Sequence, residues 1–146
     1  MHHRDIVFGS REYEMALALR EDVLRKPLGL QLDRSEVVDE ATDIHLGMFS
    51  GDELVAYCML RPAHPLAWMK QVVVKPAMQR HGIGRVLCNA FKARAIKEGF
   101  QAIHLHARDA AVPFYLKLEF TAVGNETFTE FGETHWHMHM PIVQNP

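Results

Sequence analysis

Two glycines separated by one residue, with an arginine shortly before them, form a loop suited to holding an anion. The stretch reads Gln-Arg-His-Gly-Ile-Gly over 79–84 and lies between a β-branched run and a long amphipathic segment. The first turn of a helix offers free backbone N–H groups and the positive end of its dipole. Gly82 and Gly84 would let phosphates approach the chain closely. Mobile positive charge is supplied nearby by Lys75, Arg80 and Arg85.

Three kinds of phosphate loop compete for this segment. A dinucleotide loop needs a third glycine and an acidic residue about 20 positions further on, where this chain has His104 and His106. A nucleotide triphosphate loop needs a Gly-Lys-Ser/Thr ending, which is absent. A pyrophosphate held where a strand turns into a helix fits better. Taken without their flanking sequence, the two glycines favour a tight strand–helix turn with no ligand.

A longer stretch around the loop resembles a known motif. The segment VVVKPAMQRHGIGRVL, residues 72–87, is similar to the acyl-CoA-binding motif of the GNAT superfamily of N-acetyltransferases, with Gln79, Gly82 and Gly84 matching. A second segment, LHARDAAVPFYLKLEF, residues 105–120, resembles the family's A-x-x-F-Y-x-x-x-G-F pattern. The matching residues there are Ala111, Phe114, Tyr115 and Phe120.

The second segment also departs from the family pattern. Glu119 stands where the family has glycine, and Arg108 stands where many members have asparagine. Outer segments resemble the ElaA-like branch of small bacterial GNATs, which often carries Glu-x-Gly-x-x-His near its end. The residues that fit this pattern are Glu130, Gly132 and His135.

The resemblance implies a fold and a donor. We expect an α/β GNAT fold, with a mixed central sheet splayed between the strand ending at Val74 and the strand at 102–106, and helices on both faces. Acetyl-CoA would place its pantetheine arm in the gap, bonded to main chain near Val72 and Val74, while residues 79–84 wrap the pyrophosphate. The expected CoA-binding residues are Val72, Val73, Val74, Gln79, Arg80, His81, Gly82, Ile83, Gly84 and Arg85.

The resemblance also implies direct acetyl transfer to a primary amine, with Tyr115 protonating the leaving thiolate. A phenol has an ordinary pKa near 10, so it still carries its proton at neutral pH and is available as a donor. A core tyrosine packed beside Phe114 is the alternative. Cys88 could carry an acyl group, but the sequence shows no base to activate it, which favours a structural thiol.

The base that takes the proton of the amine is open at this point. His106 and His104 point to the same side of their strand, and histidine has a pKa near neutrality. His135 and Glu130 follow from the branch resemblance, and His45 is a further candidate. Each of these could instead be a hydrogen-bonded structural residue, and a water chain could act without any single base.

A row of histidines near the end of the chain invites a metal hypothesis. Alternation along HWHMHM places His135, His137 and His139 on one strand face, with Trp136, Met138 and Met140 on the other. The first and third histidines would be about 14 Å apart, too far for one tetrahedral zinc site. We therefore expect no metal. The resemblance to the ElaA-like branch singles out His135 as a substrate-site residue.

The elements that must position these residues alternate between strand and helix. Strands are predicted at 5–10, 43–50, 53–60, 69–74, 102–107, 120–128 and 134–142, and helices near 15–24, from 83 to near 99, and at 110–117. Residues 29–43 are predicted as loop with one helical turn. The second helix shows one apolar face, made by Ile83, Val86, Leu87, Ala90 and Phe91.

Length and composition fit a single domain over residues 1–146. The net charge of −2 gives no reason to expect nucleic acid, and no apolar run is long enough to cross a bilayer. Two cysteines imply no disulfide framework and favour a cytoplasmic setting. The acceptor is open among polyamine, amino sugar, peptide terminus and lysine, as is a homodimer. The alternative to an enzyme is a non-catalytic acyl-CoA-binding or regulatory module, which would not need Tyr115.

Overall fold

A seven-stranded mixed sheet forms the centre of the computed structural model, which describes residues 1–142. The strands are β1 (His2–Ile6), β2 (Ile44–Ser50), β3 (Glu53–Ala63), β4 (Leu66–Val74), β5 (Ala102–Arg108), β6 (Thr121–Glu130) and β7 (Glu133–Pro141). Their order in the sheet is β1-β2-β3-β4-β5-β7-β6. Neighbouring strands are antiparallel except for β4 and β5, which are parallel.

Three α-helices pack on the two faces of this sheet. They are α1 (Arg11–Arg20), α2 (Ile83–Lys97) and α3 (Val112–Lys117). The chain continues from α1 through a π-helical turn, Glu21–Arg25, and a 3₁₀ turn, Lys26–Leu28. Further 3₁₀ turns lie at Arg34–Val37, Glu40–Thr42, Pro76–Met78 and Asp109–Ala111. The predicted order of strands and α-helices and the α/β class are confirmed.

Some predicted boundaries were wrong. The first strand was predicted at 5–10 and lies at His2–Ile6, because the chain turns after it and the Ser10 side chain accepts the Tyr13 N–H at 3.2 Å to begin α1. The strand predicted at 69–74 begins at Leu66, since β3 and β4 continue to pair as far as Ala63 and Leu66. The loop after α1 contains two 3₁₀ turns near its end, at Arg34–Val37 and Glu40–Thr42, where one helical turn was predicted.

Each face of the sheet has its own hydrophobic core. The first core lies between the sheet and α2 with α3, and the second lies between α1 and strands β1 to β4. Helix α2 contributes Ile83, Leu87, Cys88, Phe91 and Ala95 to the first core. Val86, expected on the apolar face, is 48% exposed, because the buried stripe runs through Cys88.

A buried polar network ties α1 to the 3₁₀ turn Glu40–Thr42, which leads into β2. Arg20 donates to both carboxylate oxygens of Glu40, at 2.8 and 3.0 Å, and the Tyr13 hydroxyl donates to the same carboxylate at 2.8 Å. Arg20 and Glu40 are 1% and 2% exposed, so the pair lies in a medium where an unmatched charge would be costly. The network therefore fixes the segment that follows α1. No helix within residues 1–142 is both long and apolar enough to span a membrane.

Candidate active site

The sheet parts between its two parallel strands. Pairing of β4 with β5 begins at Leu66 and Ala102 and ends at Met69 and Leu105. Both strands continue beyond this pair, β4 to Val74 and β5 to Arg108. Their facing backbone groups diverge there and leave a gap, so the splay implied by the family resemblance is confirmed.

A bulge in β4 changes which side chains face the gap. Val73 pairs with Tyr57 and Lys70 pairs with Met59, which leaves one extra residue in β4 between these pairs. Gln71 at this point has φ 55, a left-handed conformation that is uncommon for a residue other than glycine. The bulge resets the alternation of side chains along the strand.

The reset places the valines on both faces. Val72 and Val74 pack against the first core, whereas Val73 is 2% exposed in the second core. The end of β4 is therefore covered on both sides, as is typical of a strand with consecutive apolar residues. The Val73 side chain therefore points away from α2, and only its backbone faces the gap.

The loop after β4 folds back on the end of that strand. The Gln79 side-chain amide donates to the Val74 carbonyl at 3.1 Å. Arg80 and Gly82 both have left-handed backbones, with φ 66 and 79, and Gly82 is the N-cap of α2. Because Gly82 has no side chain to cap the helix, the first-turn N–H groups of α2 are left for a ligand.

The two loop glycines serve different purposes. A Cβ on Gly82 would meet nothing within 4 Å, so glycine is required there for its left-handed φ of 79. A Cβ on Gly84 would lie 3.2 Å from Cζ of Phe114, so this glycine allows α2 to pack closely on the ring. Ile83 between them is 5% exposed in the first core, which leaves only its backbone for a ligand. His81 and Arg85 are exposed beside the loop.

Tyr115 reaches the gap from the side of the first core. It is 7% exposed, with its ring 5.1 Å from that of Phe114 and 5.7 Å from that of Phe120. Burial raises the pKa of the Tyr115 phenol, and the nearby Cys88 and Cys58 act in the same direction. The hydroxyl therefore carries its proton at neutral pH.

One cleft of about 310 Å³ passes through the parted sheet. It is lined from five directions, by the π-helical turn, β4, β5, the segment around α3, and the β6–β7 hairpin. The four residues expected to act in catalysis all line it, namely Tyr115, His106, His135 and Glu130. Val72 also lines the cleft, so the strand beside the gap and the candidate catalytic side chains share one space.

The hydrogen bond of His135 fixes which of its nitrogens carries the proton. Nδ1 lies 3.1 Å from the Glu133 carbonyl oxygen, which can only accept, so Nδ1 is the donor. Nε2 is then unprotonated in the neutral ring and can take a proton. The ring is stacked on Phe128, with centroids 5.1 Å apart, and this contact holds its orientation.

His106 lies on the face of the sheet opposite Tyr115. Burial lowers the pKa of His106, as do the neighbouring His137 and Lys70, while Glu130 opposes them. The imidazole is therefore neutral at pH 7 and can accept a proton. Its ring packs 5.0 Å from Trp68 and 4.9 Å from Phe128.

The other histidines of this face lie outside the cleft lining. His104 Nδ1 is 2.8 Å from His137 Nε2, and His137 Nδ1 is 2.5 Å from the Glu126 carboxylate. An irregularity in β6 between Ala122 and Thr127 brings Glu126 to this position. Residues 1–142 contain no group of three or more His, Cys, Asp or Glu side chains placed to hold a metal ion.

Two other sequence candidates are structural. His45 is 3% exposed and bonds to the Tyr57 hydroxyl at 2.6 Å and the Glu40 carbonyl at 2.9 Å, within the second core. Its Nε2 must donate to the carbonyl, so Nδ1 accepts from the hydroxyl. Burial raises the pKa of the Cys88 thiol to about 12, which leaves it protonated and a poor nucleophile.

Several cleft residues were missed by the sequence analysis. Trp68 and Lys70 come from β4. The others are Leu24 and Arg25 of the π-helical turn, Leu28 of the 3₁₀ turn that follows it, and Phe131 between β6 and β7. The sequence did carry a signal for Trp68 and Lys70. Lys70 lies within the strand predicted at 69–74, which also holds the valines, and Trp68 directly precedes that strand. The π-helical turn that brings Leu24 and Arg25 to the cleft has no signature in the sequence.

A comparison with protein families identifies the class. Residues 11–120 match the model of the acetyltransferase (GNAT) family, which is more than half of the chain. The chain therefore belongs to the acetyltransferase (GNAT) family, and its class is that of the N-acetyltransferases. The matched range includes β4, the glycine loop, α2 and α3.

Individual relatives are distant in sequence and alike in fold. An uncharacterized N-acetyltransferase, YjcF of Bacillus subtilis, is 24% identical over 125 residues, covering 84% of this chain and 88% of that protein. The crystal structure of Escherichia coli ElaA has a TM-score of 0.80 at 20% identity, covering 94% of this chain and 97% of ElaA. An aminoglycoside 6'-N-acetyltransferase complexed with coenzyme A has a TM-score of 0.80 at 18% identity, covering 100% of this chain and 99% of that protein. At these identities the two structures show the fold alone.

Proposed function

We propose that this chain, acting as a single domain over residues 1–146, is an acetyl-CoA-dependent N-acetyltransferase that moves acetyl directly to a primary amine. The observation that carries the proposal is the cleft through the parted sheet. Tyr115 enters it from one face, while His106 and His135 line it from the other. A group that donates a proton and groups that accept one thus share a space of substrate size.

The donor side is supported by the gap and the loop together. Backbone of β4 beyond Met69 can bond the pantetheine amides, since β5 has diverged from it. The first turn of α2, with Gly82 as N-cap, can receive the pyrophosphate, and the exposed Arg80 and Arg85 can add charge. The related fold of an aminoglycoside 6'-N-acetyltransferase was solved with coenzyme A, which favours an acyl-CoA donor here.

The chemistry is a direct acyl transfer. The amine nitrogen attacks the thioester carbonyl carbon, and the carbon–sulfur bond breaks. The Tyr115 hydroxyl gives its proton to the departing thiolate, while Nε2 of His135 takes the excess proton of the amine. His106, neutral at pH 7, is the alternative acceptor of that proton. Glu130 attracts the incoming ammonium to the mouth of the cleft, and the ammonium releases one proton to solvent before its nitrogen attacks.

The setting and partners belong to the same proposal. Cys58 and Cys88 are both buried free thiols, which suits a reducing cytoplasm. Acetyl-CoA and an amine are the partners required by the chemistry. We propose no metal, nucleic acid or membrane partner for the reaction.

The test is an acetyl-CoA consumption assay with a panel of amines. Purified protein, acetyl-CoA and each amine are mixed, and release of the CoA thiol is followed with a thiol reagent. We expect release that depends on both enzyme and amine. Tight CoA binding without release for any amine in the panel would instead indicate a non-catalytic acyl-CoA-binding module.

A further inference from the structure

Two charged side chains of the cleft lining, Lys70 and Glu130, have no ion-pair partner among the described residues. Lys70 is half-buried on β4, and neither an ion pair nor a hydrogen bond of its ammonium is found within residues 1–142. Glu130, at the end of β6, is likewise without an ion pair in that part of the chain. A partly buried charge is costly unless it is matched, so Lys70 is a candidate to bind an anionic group of a ligand.

The two arginines of the cleft lining each lie near a carboxylate. Arg25 bonds to the Glu36 carboxylate at 3.3 Å, with only 13% of its side chain exposed. Arg108 lies 4.0 Å from Glu133. Within residues 1–142, Lys70 is the Lys or Arg of the lining that has no carboxylate within ion-pair distance.

The direction of Lys70 places its charge on the acceptor side. Its pairing partner Met59 lies in the second core, and cross-strand partners share a face of the sheet. Lys70 therefore points to the face of His106, away from Tyr115 and α2. The bulge at Gln71 separates it from the valines that face the first core.

Lys70 and Glu130 both act on the His106 imidazole, in opposite senses. The unmatched cation and the unmatched anion are thus both near one candidate proton acceptor. Leu24, Leu28 and Trp68 add apolar surface to the same walls. A ligand that suits this arrangement carries an ammonium, an anionic group and an apolar side chain.

We infer that the acceptor is a small amine that bears an anionic group, with Lys70 as its specificity-determining residue. This inference rests on the proposed N-acetyltransferase function. Lys70 binds the anionic group, Glu130 attracts the ammonium, and the apolar wall holds the side chain. The amine nitrogen is then held beside His106 and His135.

The test uses pairs of amines that differ only in the anionic group. L-Phenylalanine is compared with phenethylamine, L-methionine with 3-(methylthio)propylamine, and O-phosphoethanolamine with ethanolamine. The first two pairs report a carboxylate and the third a phosphate. In at least one pair, we expect kcat/KM of the amine with the anionic group to exceed kcat/KM of the amine without it roughly 10- to 100-fold. This is the range expected of a charge-assisted hydrogen bond.

Three variants assign the preference to Lys70. Lys70→Met should bring the ratio close to unity with the KM for acetyl-CoA unchanged, and Lys70→Arg should keep most of it. Lys97→Met, which removes an exposed lysine at the end of α2, is the matched control and should behave as wild type. Transfer with equal kcat/KM within every pair, or an undiminished preference in Lys70→Met, would overturn the inference while leaving the proposed function intact.

A binding measurement separates this inference from the function on which it rests. Calorimetry of each amine into CoA-saturated protein reports the same preference without chemistry. Tighter binding of the anionic member, lost in Lys70→Met, would support the anion site even if no thiol were released. Thiol release without a preference in either assay would contradict the site alone.

Discussion

Met69 and Leu105 form the last pair that joins β4 to β5, and the candidate active site begins where this pairing stops. Their side chains lie in the first core together with Tyr115. The next residue on β5, His106, points to the other face. Divergence of the strands after this pair lets residues from both faces of a sheet line one cleft.

Tyr115→Phe tests the role of the phenol. The ring and its contacts with Phe114 and Phe120 remain, so acetyl-CoA binding should survive. Turnover should fall roughly 10- to 10⁴-fold, because the thiolate loses its proton donor. Tyr13→Phe is the matched control, since Tyr13 is not part of the cleft lining and Glu40 keeps its two bonds from Arg20, so turnover should stay near wild type while stability falls. Wild-type turnover of Tyr115→Phe under rate-limiting chemistry would exclude the acid role.

Gly82→Ala tests the phosphate loop. Alanine at φ 79 is strained by about 1 kcal/mol, so the loop should shift and CoA affinity should fall roughly tenfold or more. Gly51→Ala is a matched control, because Gly51 also has a left-handed φ, 61, and open space around its Cα, but lies in the β2–β3 turn. Calorimetry should show weakened CoA binding in Gly82→Ala only. Equal affinities in the two variants would remove the loop from the CoA site.

His135→Ala and His139→Ala compare two histidines of one strand face. His135 lines the cleft with Nε2 free to accept a proton, whereas His139 lies outside the lining and has its ring 5.4 Å from that of His104. We expect kcat to fall roughly 10²-fold in His135→Ala and to stay near wild type in His139→Ala. Activity should also survive a chelator. A larger loss in His139→Ala, or activity lost to chelator and restored by zinc, would contradict this assignment.

Glu119→Gly tests a strained helix end. Glu119 follows α3 with φ 72, and the Phe120 N–H bonds the Tyr115 carbonyl at 3.1 Å, a helix ending in which glycine is usual. Glycine should raise the free energy of unfolding by about 1 kcal/mol by removing the left-handed penalty. Lys117→Gly, within α3, should lower it by about 1 kcal/mol. Urea unfolding of both variants measures the difference, and a destabilised Glu119→Gly would show that the position is unstrained.

The parts of the site that the sequence predicts are those built from contiguous residues. The loop at 79–84 and the segment around Tyr115 each carry their own pattern of glycines, aromatic residues and helical spacing, so they could be located in the chain. The order of strands and helices followed from hydrophobic periodicity. His135 was found through resemblance to a short pattern, and its tautomer required the structure.

The rest of the site depends on local irregularities that leave no pattern in the chain. Because of the bulge at Gln71, the side chains of Lys70 and Val72 point to opposite faces of the sheet. Regular alternation along the strand would have placed both side chains on the same face. The π-helical turn that brings Leu24 into the cleft lining likewise leaves no recognisable pattern in the sequence. Such features are set by tertiary packing, which outweighs local propensity. Here the packing is that of α1, which is held in place by the bonds between Arg20 and Glu40.

The most direct test of N-acetyl transfer is mass spectrometry of a mixture of protein, acetyl-CoA and a reactive amine. We expect the amine to gain one acetyl group only when protein and acetyl-CoA are both present. The mass of the protein itself should stay unchanged, since transfer is direct and the Cys88 thiol is protonated. An acetylated protein that passes its group to the amine would contradict direct transfer, and intact acetyl-CoA with every amine in the panel would contradict the activity.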